Sequence, residues 1–489
     1  AVQAAAAHNY LSGGLKAAVI VSAGPGVSNC VTGVTVAQAN HWPLLVIGGR
    51  RPQAMRGMGA FQELDGVSLF TSVTKYSGLV KETSELVDHI DRACRLAMRP
   101  HPGPCYLDIT EEALQGAGTY SNSALKHDEK PVAMIDLSAI VGALQRARKP
   151  VLILGDGLRW GDPWEVLEQL VGDFRIPFVS SPMARGYLPD SHVLCGTCVR
   201  SWLLGSADLV LMAGASLDWV FRHGAEIHPD AALIRLAHES DPVFLDRSPD
   251  QEYLGEPADS LRQVLAALQM TGTALQVDEA WLGHLALQKR AYLERLNNIA
   301  SDNAEPPTPL RWLNEVAQAL PDEAVTILDG NTVMEWAQHA LSAERPLARL
   351  TPGANGCMGV GVPFALAACL VQPDHPVLVV CGDFALGLGI MDLETMVRHQ
   401  LSLVIMVANN SGSGGSLRQE SYWPPDCPER VCQFTEGIRY DRIMEAMGGV
   451  GMSVDHVGQV LPALEQAFES RCPTLIQVNT RDDVPLPRL

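Results

Sequence analysis

Two polar side chains with oxygen donors each follow an apolar run near the C-terminal end of the chain. The run 377–380 leads to Asp383, and the run 403–408 leads to Asn410. Mg²⁺ prefers oxygen ligands in near-octahedral geometry and usually shares them with phosphate groups. The Asp383 carboxylate, the Asn410 amide oxygen and the Gly412 backbone carbonyl are therefore a candidate ligand set for Mg²⁺ beside a diphosphate.

The residues after Asp383 predict a glycine-rich turn and then a helix. The N-terminal end of a helix carries a partial positive charge and free backbone N–H groups, which favour a phosphate group there. The pattern thus places an anion-binding helix end next to the predicted Mg²⁺ ligands.

The elements that position these residues belong to three α/β blocks separated by two polar linkers, 115–130 and 300–309. Short apolar strands alternate with helix-length segments in every block, which predicts an α/β fold of three domains, each with a mainly parallel sheet flanked by helices. Ligands bind at the carboxyl ends of such strands, where Asp383 and Asn410 lie. The predicted strands are 18–22, 43–48, 104–109, 151–154, 177–180, 209–213, 233–235, 325–328, 377–380, 403–408 and 473–479.

Composition excludes several classes of function. The chain has 489 residues, 36 basic and 55 acidic residues and a net charge of −19, so neither a nucleic-acid surface nor an anionic-membrane surface is expected. No apolar stretch reaches the roughly 18 residues that span a bilayer. The opening residues lack the pattern of a signal peptide. The 11 cysteines are expected to be free thiols, and the expected location is the cytoplasm.

One Cys-x-x-Cys motif, Cys195 to Cys198, lies close to His192. A zinc site needs a second ligand pair, and none has suitable spacing. The motif is therefore interpreted as two ordinary thiols in a loop, with metal or redox chemistry as the alternative.

The segment 155–161, GDGLRWG, follows the first strand of the second block. It is similar to a nucleotide-binding glycine turn, but the full G-x-G-x-x-G fingerprint and its acidic partner are missing. Two interpretations stay open: an ADP-like nucleotide in this block, or glycines that only permit tight packing.

Taken with Asp383 and Asn410, the segments 22–26 (SAGPG) and 353–359 (GANGCMG) resemble the thiamine diphosphate enzymes, in particular the acetolactate-synthase-like superfamily. The resemblance covers essentially the whole chain. It implies a pyrimidine-binding domain at 1–114 that appears truncated at its N-terminus, a central domain at 131–299 and a diphosphate-binding domain at 310–489. The segments closest to the 2-hydroxyacyl-CoA lyase and oxalyl-CoA decarboxylase branch are 59–65, 182–190, 214–219, 391–395 and 439–442.

The resemblance implies a role for each matching residue. Met358 is the apolar residue that bends the cofactor into a V, and the Gly356 carbonyl accepts a hydrogen bond from the aminopyrimidine. Phe61 and Gln62 replace the Tyr and Glu of the decarboxylases, and with Met358 they are the predicted catalytic residues. The predicted metal ligands are Asp383, Asn410 and Gly412. The predicted cofactor-binding residues are Gly26, Asn331, Gly356, Met358, Gly382, Asp383, Phe384, Ala385, Asn410 and Gly412.

Three positions depart from the family pattern. Phe384 replaces a glycine that usually follows the metal-binding aspartate. Val2 aligns with the glutamate that activates the cofactor, unless that glutamate belongs to a segment before residue 1. The small residues of 411–416 replace a bulky pair, which predicts a wider and more flexible substrate pocket.

The resemblance implies a thiamine diphosphate- and Mg²⁺-dependent lyase or carboligase that acts on 2-hydroxyacyl-CoA, giving an aldehyde or ketone plus formyl-CoA, or the reverse. One alternative is acetolactate-synthase-like carboligation, or decarboxylation of a 2-oxo acid or oxalyl-CoA. Another is a non-catalytic homologue that binds the cofactor. In this superfamily the cofactor lies between the first domain of one subunit and the third domain of another, so a homodimer or homotetramer is expected.

Overall fold

The computed structural model describes residues 1–99, 101–119, 136–240, 247–272, 274–413 and 432–481. These residues group into two compact units. The first comprises Ala1–Val132 with Gly353–Cys357, and the second comprises Ala133–Pro352 with Met358–Leu489. Three parallel sheets flanked by helices confirm the predicted fold class.

The first unit contains a four-stranded parallel sheet in the order β1-β2-β4-β3. Strand β4 is buried along its whole length, and α5 packs the apolar side of its helix against β3 and β4. The elements are α1 (Val2–Ser12), β1 (Ala18–Val21), α2 (Pro25–Ser28), α3 (Val31–Ala39), β2 (Leu44–Arg50), α4 (Gly66–Phe70), β3 (Tyr76–Val80), α5 (Leu86–Met98), β4 (Pro104–Thr110) and α6 (Glu111–Gln115).

The second unit begins with a five-stranded parallel sheet in the order β6-β5-β7-β8-β9. Its central strands β5 and β7 are entirely buried, as expected for a parallel sheet covered on both faces. The elements are α7 (Leu137–Arg146), β5 (Pro150–Leu154), α8 (Trp164–Phe174), β6 (Phe178–Ser180), α9 (Arg200–Gly205), β7 (Leu209–Ala213), β8 (Ala232–Ala237), β9 (Gln251–Leu254), α10 (Pro257–Thr271) and α11 (Glu279–Ala300).

The same unit continues into a six-stranded parallel sheet in the order β11-β10-β12-β13-β15-β14. Strands β10, β12 and β13 are direct neighbours, so their carboxyl ends meet at one edge. The elements are α12 (Pro309–Ala319), β10 (Val325–Leu328), α13 (Thr332–Ala340), β11 (Arg349–Leu350), α14 (Gly361–Val371), β12 (Val377–Gly382), α15 (Asp383–Gly389), α16 (Asp392–Arg398), β13 (Val404–Asn409), α17 (Tyr440–Ala446), β14 (Val450–Val454), α18 (Val460–Ser470) and β15 (Thr474–Asn479).

The predicted glycine-rich turn after Asp383 is wrong, because β12 passes directly into α15. Asp383 is the first residue of that helix, and its Oδ1 accepts the Phe384 backbone N–H at 2.8 Å. An acidic side chain in the first turn stabilises a helix, and this contact offsets the weak helix propensity of the glycines that follow.

Most of the predicted linker 115–130 lies outside the described residues, whereas most of 300–309 is a loop between α11 and α12. Within the described ranges, none of the helices combines the length and the apolar character needed to cross a membrane.

Candidate cofactor site

One pocket in the second unit collects most of the residues predicted to bind the cofactor. It opens at the carboxyl ends of β10, β12 and β13. The predicted residues that line it are Asn331, Met358, Gly382, Asp383, Phe384, Ala385, Asn410 and Gly412. The structure thus brings residues from four separate chain segments to one place.

Asp383 links the end of β12 to the loop after β13 at this pocket. Its side chain is buried, with 2% of the residue exposed. Oδ2 accepts the Gly412 backbone N–H at 2.9 Å, while Oδ1 accepts the N–H of Phe384. The carboxylate at the end of β12 therefore fixes the loop that follows β13.

The loop after β13 is held from behind by Asn409. Its Oδ1 accepts the Ser411 N–H at 3.2 Å, and its Nδ2 donates to the Ile438 carbonyl at 3.2 Å. Ser411 adopts a left-handed conformation with φ of 58°, which turns the chain sharply after Asn410. Because Asn409 is buried in these contacts, Asn410 is the member of the pair that lines the pocket.

The donor chemistry of this pocket fits a hard cation and a diphosphate. A carboxylate, a side-chain amide and loop carbonyls supply oxygen atoms of the kind that Mg²⁺ takes. Asn331 is the N-cap residue of α13 and lines the same pocket, so the positive end of that helix faces the space. The role of Asp383 and Asn410 as the side chains that hold a metal ion stays a prediction.

Sequence reasoning missed Asp329, a buried carboxylate at the carboxyl end of β10. Its Oδ2 accepts the N–H of Gly361 at 2.7 Å and of Gly359 at 3.1 Å, and its Oδ1 accepts the N–H of Gly330 at 2.6 Å. These bonds fix the loop that carries Met358. Burial raises the pKa of Asp329 to about 6. The signal that finds it is the one used for Asp383, a carboxylate directly after an apolar strand.

Gln62 lies in the first unit and packs against Gly24 of the segment 22–26. It takes a left-handed conformation with φ of 60°. A Cβ atom on Gly24 would come within 2.7 Å of the Gln62 Cβ, so only glycine permits this approach. Gly26 follows in the same turn. The structure therefore joins two sequence motifs that lie far apart in the chain.

Phe61 precedes Gln62 and is 74% exposed in the first unit. Its carbonyl accepts the Arg51 Nε–H at 2.7 Å, and the Arg51 guanidinium lies 5.5 Å from the centre of its ring. The loop ends at Asp65, whose carboxylate pairs with Arg50 at 3.2 Å. Arg50 also pairs with the buried Asp108 at 2.9 Å, and this network anchors the loop.

Gly356 lies in the short segment that packs on the first unit. Its φ is 66°, and a Cβ atom there would meet nothing within 4 Å, so its neighbourhood is open. The segment is fixed at Gly353, where a Cβ atom would come within 2.0 Å of the Asn40 Oδ1. Gly356 is an exposed residue, and the role of its carbonyl as an acceptor for the cofactor stays a prediction.

Val2 begins α1 and packs against α3 in the first unit. A Cβ atom on Gly33 would lie 2.6 Å from the Val2 Cβ, so the two backbones approach closely. Whether Val2 replaces the family glutamate stays a prediction from the alignment.

Close packing explains Gly155 and Gly157, the two glycines that follow β5. A Cβ atom on Gly155 would lie 2.1 Å from the Gly214 carbonyl oxygen, and one on Gly157 would lie 2.7 Å from it. The Gly157 N–H also donates to that oxygen at 2.9 Å. These contacts account for both glycines without a nucleotide.

Cys195 and Cys198 are free thiols, and burial raises the pKa of both. Within the described ranges, no metal-ligand cluster includes them or His192. The interpretation as two ordinary thiols stays a prediction.

Family models match all three blocks of the chain. The N-terminal TPP binding domain of the thiamine pyrophosphate enzymes matches residues 1–69, their central domain matches 137–264, and their C-terminal TPP binding domain matches 329–478. The last match contains the whole pocket around Asp383 except Pro309 and Thr480.

Curated relatives carry three different activities in their names. The chain is 30% identical to 2-hydroxyacyl-CoA lyase 1 of Mus musculus, covering 96% of this chain and 84% of the relative. It is 29% identical to the acetolactate synthase large subunit of Mycobacterium tuberculosis, covering 96% and 85%. It is 28% identical to oxalyl-CoA decarboxylase of Escherichia coli, covering 97% and 85%.

The fold, the pocket and these matches define the class of protein. The chain belongs to the thiamine pyrophosphate enzyme family, and thiamine diphosphate is its cofactor. This confirms the resemblance drawn from the sequence.

Proposed function

We propose that this protein is a thiamine diphosphate- and Mg²⁺-dependent lyase that cleaves a 2-hydroxyacyl-CoA into an aldehyde or ketone and formyl-CoA, or joins them in reverse. The observation that carries the proposal is the convergence of Asp383, Asn410, Gly412 and Met358 on one pocket. The lyase among the relatives supports the choice of substrate.

Each residue has a defined part in this proposal. The bound cofactor supplies a nucleophilic carbon and an electron sink for breaking the C–C bond. Asp383, Asn410 and the Gly412 carbonyl would hold the Mg²⁺ ion, and the N-terminal end of α13 would attract the negative charge of the diphosphate. Met358 would support the cofactor, and Asp329 positions the loop of Met358.

In this proposal, Gln62 is the residue of the first unit that hydrogen-bonds the substrate. Its side chain is a neutral amide, which can hydrogen-bond a carbonyl or hydroxyl group but cannot act as an acid or base near neutral pH. That chemistry suits a substrate whose bond breaks on the cofactor. Phe61 beside it offers an exposed apolar surface for the acyl chain.

The second candidate is an acetolactate-synthase-like carboligase or a decarboxylase of a 2-oxo acid or oxalyl-CoA. The small residues Ser411 and Ser413 beside Gly412 favour it, because they leave room for a different acceptor. Purified protein with cofactor and Mg²⁺ is to be given a 2-hydroxyacyl-CoA, pyruvate or oxalyl-CoA. Formation of formyl-CoA from the 2-hydroxyacyl-CoA supports the lyase. Release of carbon dioxide from pyruvate or oxalyl-CoA, without formyl-CoA from the 2-hydroxyacyl-CoA, rejects the lyase.

The proposal also includes a nucleotide ligand and an oligomeric state. The first is an ADP-like nucleotide at 155–161, the alternative to close packing of Gly155 and Gly157, at the carboxyl end of β5. The protein assembles as a homodimer or homotetramer. Calorimetry with ADP tests the nucleotide site, and the absence of binding heat contradicts it. Analytical ultracentrifugation tests the oligomeric state, and a monomer contradicts it.

A further inference from the structure

A chain of three amide side chains lies behind the loop 410–413, at the carboxyl ends of β13 and β15. Its members are Asn409, the last residue of β13, and Gln477 and Asn479 on β15. In the described part of the protein, none of the three lines the cofactor pocket. Any effect that they have on a ligand there must therefore pass through the residues that they hold.

Asn479 is the centre of this amide chain. Its Oδ1 accepts hydrogen bonds from the Asn409 Nδ2 at 3.3 Å and from the Gln477 Nε2 at 3.1 Å. Its Nδ2 donates at 2.6 Å to Oδ1 of Asp455, which directly follows β14. Asn409 and Asn479 are also partners in the register of the sheet, so their side chains lie on the same face. The Asn479 amide thus links the ends of three neighbouring strands.

The amide chain holds the two loops that follow β13 and precede α17. The Asn409 Oδ1 accepts the Ser411 N–H at 3.2 Å, and its Nδ2 also donates to the Ile438 carbonyl at 3.2 Å. The Gln477 Oε1 accepts the Tyr440 N–H at 2.8 Å. Asn409 and Gln477 are both buried, and a buried network whose members are all hydrogen-bonded is rigid.

Ser411 requires this support, because its left-handed φ of 58° persists only where the surrounding structure holds it. Asn410 lies between Asn409 and Ser411, so the hydrogen bond between these two residues closes around it. From the other side, the Asp383 Oδ2 accepts the Gly412 N–H at 2.9 Å. The predicted metal ligands Asn410 and Gly412 therefore belong to a loop that is held from two sides.

We propose that Asn479 is a positioning residue for the metal ion, which acts through Asn409 to fix Asn410 and the Gly412 carbonyl. This inference rests on the proposed function, which places Mg²⁺ at that loop. Mg²⁺ demands near-ideal octahedral geometry, so a loosened loop binds the ion less tightly. Loss of the groups that orient metal ligands commonly lowers metal affinity by about 10- to 100-fold.

Calorimetric titration of the chelator-treated protein with Mg²⁺, in excess thiamine diphosphate, measures this effect. Asn479→Ala removes the acceptor for Asn409 and is expected to raise the Kd for Mg²⁺ about tenfold or more. Ile476→Val is the control, since it removes a buried methyl group on the opposite face of β15 and leaves the amides intact. Its Kd is expected to equal that of the wild type, although thermal unfolding shows a loss of stability.

A swap of two side chains separates positioning from a general loss of stability. Asn479→Asp/Asp455→Asn keeps the net charge, and the new amide at position 455 can donate to the new carboxylate at position 479. That carboxylate also keeps an acceptor for Asn409 and Gln477, so the swap is expected to recover most of the Mg²⁺ affinity that Asn479→Ala loses.

The outcomes separate this inference from the proposed function. A wild type whose cofactor binding depends on Mg²⁺, together with unchanged Mg²⁺ affinity in Asn479→Ala, would overturn the positioning role alone. A swap variant that binds Mg²⁺ as weakly as Asn479→Ala would do the same. A wild type that binds thiamine diphosphate equally well without Mg²⁺ would refute the metal site of the proposed function and the positioning role with it.

Discussion

Asp383 and Asp329 are buried carboxylates at the ends of neighbouring strands, and they serve different purposes. Asp383 lines the pocket and ties Gly412 to the end of β12. Asp329 turns its oxygens towards the backbone of the Met358 loop. Asp383 is therefore the predicted metal ligand, whereas Asp329 holds the loop that carries Met358.

Replacing Asp383 with Ala is expected to abolish the Mg²⁺-dependent part of cofactor binding. Losing a charged ligand in a buried site corresponds to about 2–3 kcal/mol, or roughly a hundredfold in Kd. Calorimetry with thiamine diphosphate, with and without Mg²⁺, measures the effect. Glu394→Ala, an exposed carboxylate on α16, is the matched control. If the Asp383 variant kept its Mg²⁺ dependence, the metal assignment would be wrong.

Asp329 gives the protein a stability term that depends on pH. Its folded-state pKa, about 6, is above the ordinary value of 3.8, so the folded protein holds this proton more tightly. The contribution is present below about pH 4 and is lost as the pH rises through 6, which amounts to about 3 kcal/mol.

Asp329→Asn does not titrate, so its comparison with the wild type isolates this contribution. The free energy of unfolding of the wild type minus that of the variant is expected to fall between pH 4 and pH 7. Urea unfolding at several pH values measures it. A difference that rises with pH would show that the glycine N–H donors outweigh burial in setting the pKa.

At the scale of elements, the order of β10, β12 and β13 creates the site by placing three strand ends side by side. The same logic holds in the central sheet, where Gly155 and Gly157 allow the end of β5 to approach Gly214 closely. Glycine patterns at such strand ends are therefore packing features first.

Gly155→Ala is expected to destabilise the protein by about 2–3 kcal/mol, because its Cβ would meet the rigid Gly214 carbonyl. Gly172 lies exposed within α8, and a Cβ atom there meets nothing within 4 Å. Gly172→Ala is expected to stabilise by about 0.5–1 kcal/mol, since alanine loses less backbone entropy. Chemical denaturation of both variants checks the pair; equal effects would contradict the packing explanation.

The positions of many strands can be predicted from the sequence alone. Buried strands such as β7 and β10 match their predicted bounds, because continuous apolar runs between polar turns mark them. The strands β3, β9, β11 and β14 were not predicted. Strand β3 carries Ser77 and Gly78, and β11 has only two residues, so neither shows a clear period.

The candidate site was predictable where strand ends carry polar residues, as at Asp383 and Asn410. The contact between Gln62 and Gly24 was not, because residues so far apart in sequence meet only in the folded unit. Nor could a pattern show that Asp329 faces three backbone N–H groups. The sequence shows which polar side chains follow a strand, but the groups that these side chains contact depend on tertiary packing.

At the scale of the whole molecule, the candidate residues divide between the two units of the chain. Phe61 and Gln62 belong to the first unit, and Asp383 and Asn410 to the second. The resemblance to the family predicts a homodimer in which each active site takes its two parts from different subunits. This arrangement predicts that two defective chains can complement each other.

Coexpression of Asp383→Ala chains with Phe61→Ala/Gln62→Ala chains is therefore expected to restore activity to about a quarter of the wild-type level, since half of the dimers are hybrids and each hybrid has one intact site. Steady-state assays of the purified mixture measure it. Asp383→Ala with Asn410→Ala, both in the second unit, is the control and should stay inactive. No recovery in the first mixture would place each site within one subunit.

Helix α13 touches two pockets of the second unit. Its first residues line the cofactor pocket, and its later residues, from Glu335 on, line a second cavity. Nine helical residues span only about 13 Å, and so short a helix is a stiff rod. If a ligand in the second cavity changes the affinity for the cofactor, the cofactor changes the affinity for that ligand by the same factor, because thermodynamic linkage between two sites is reciprocal.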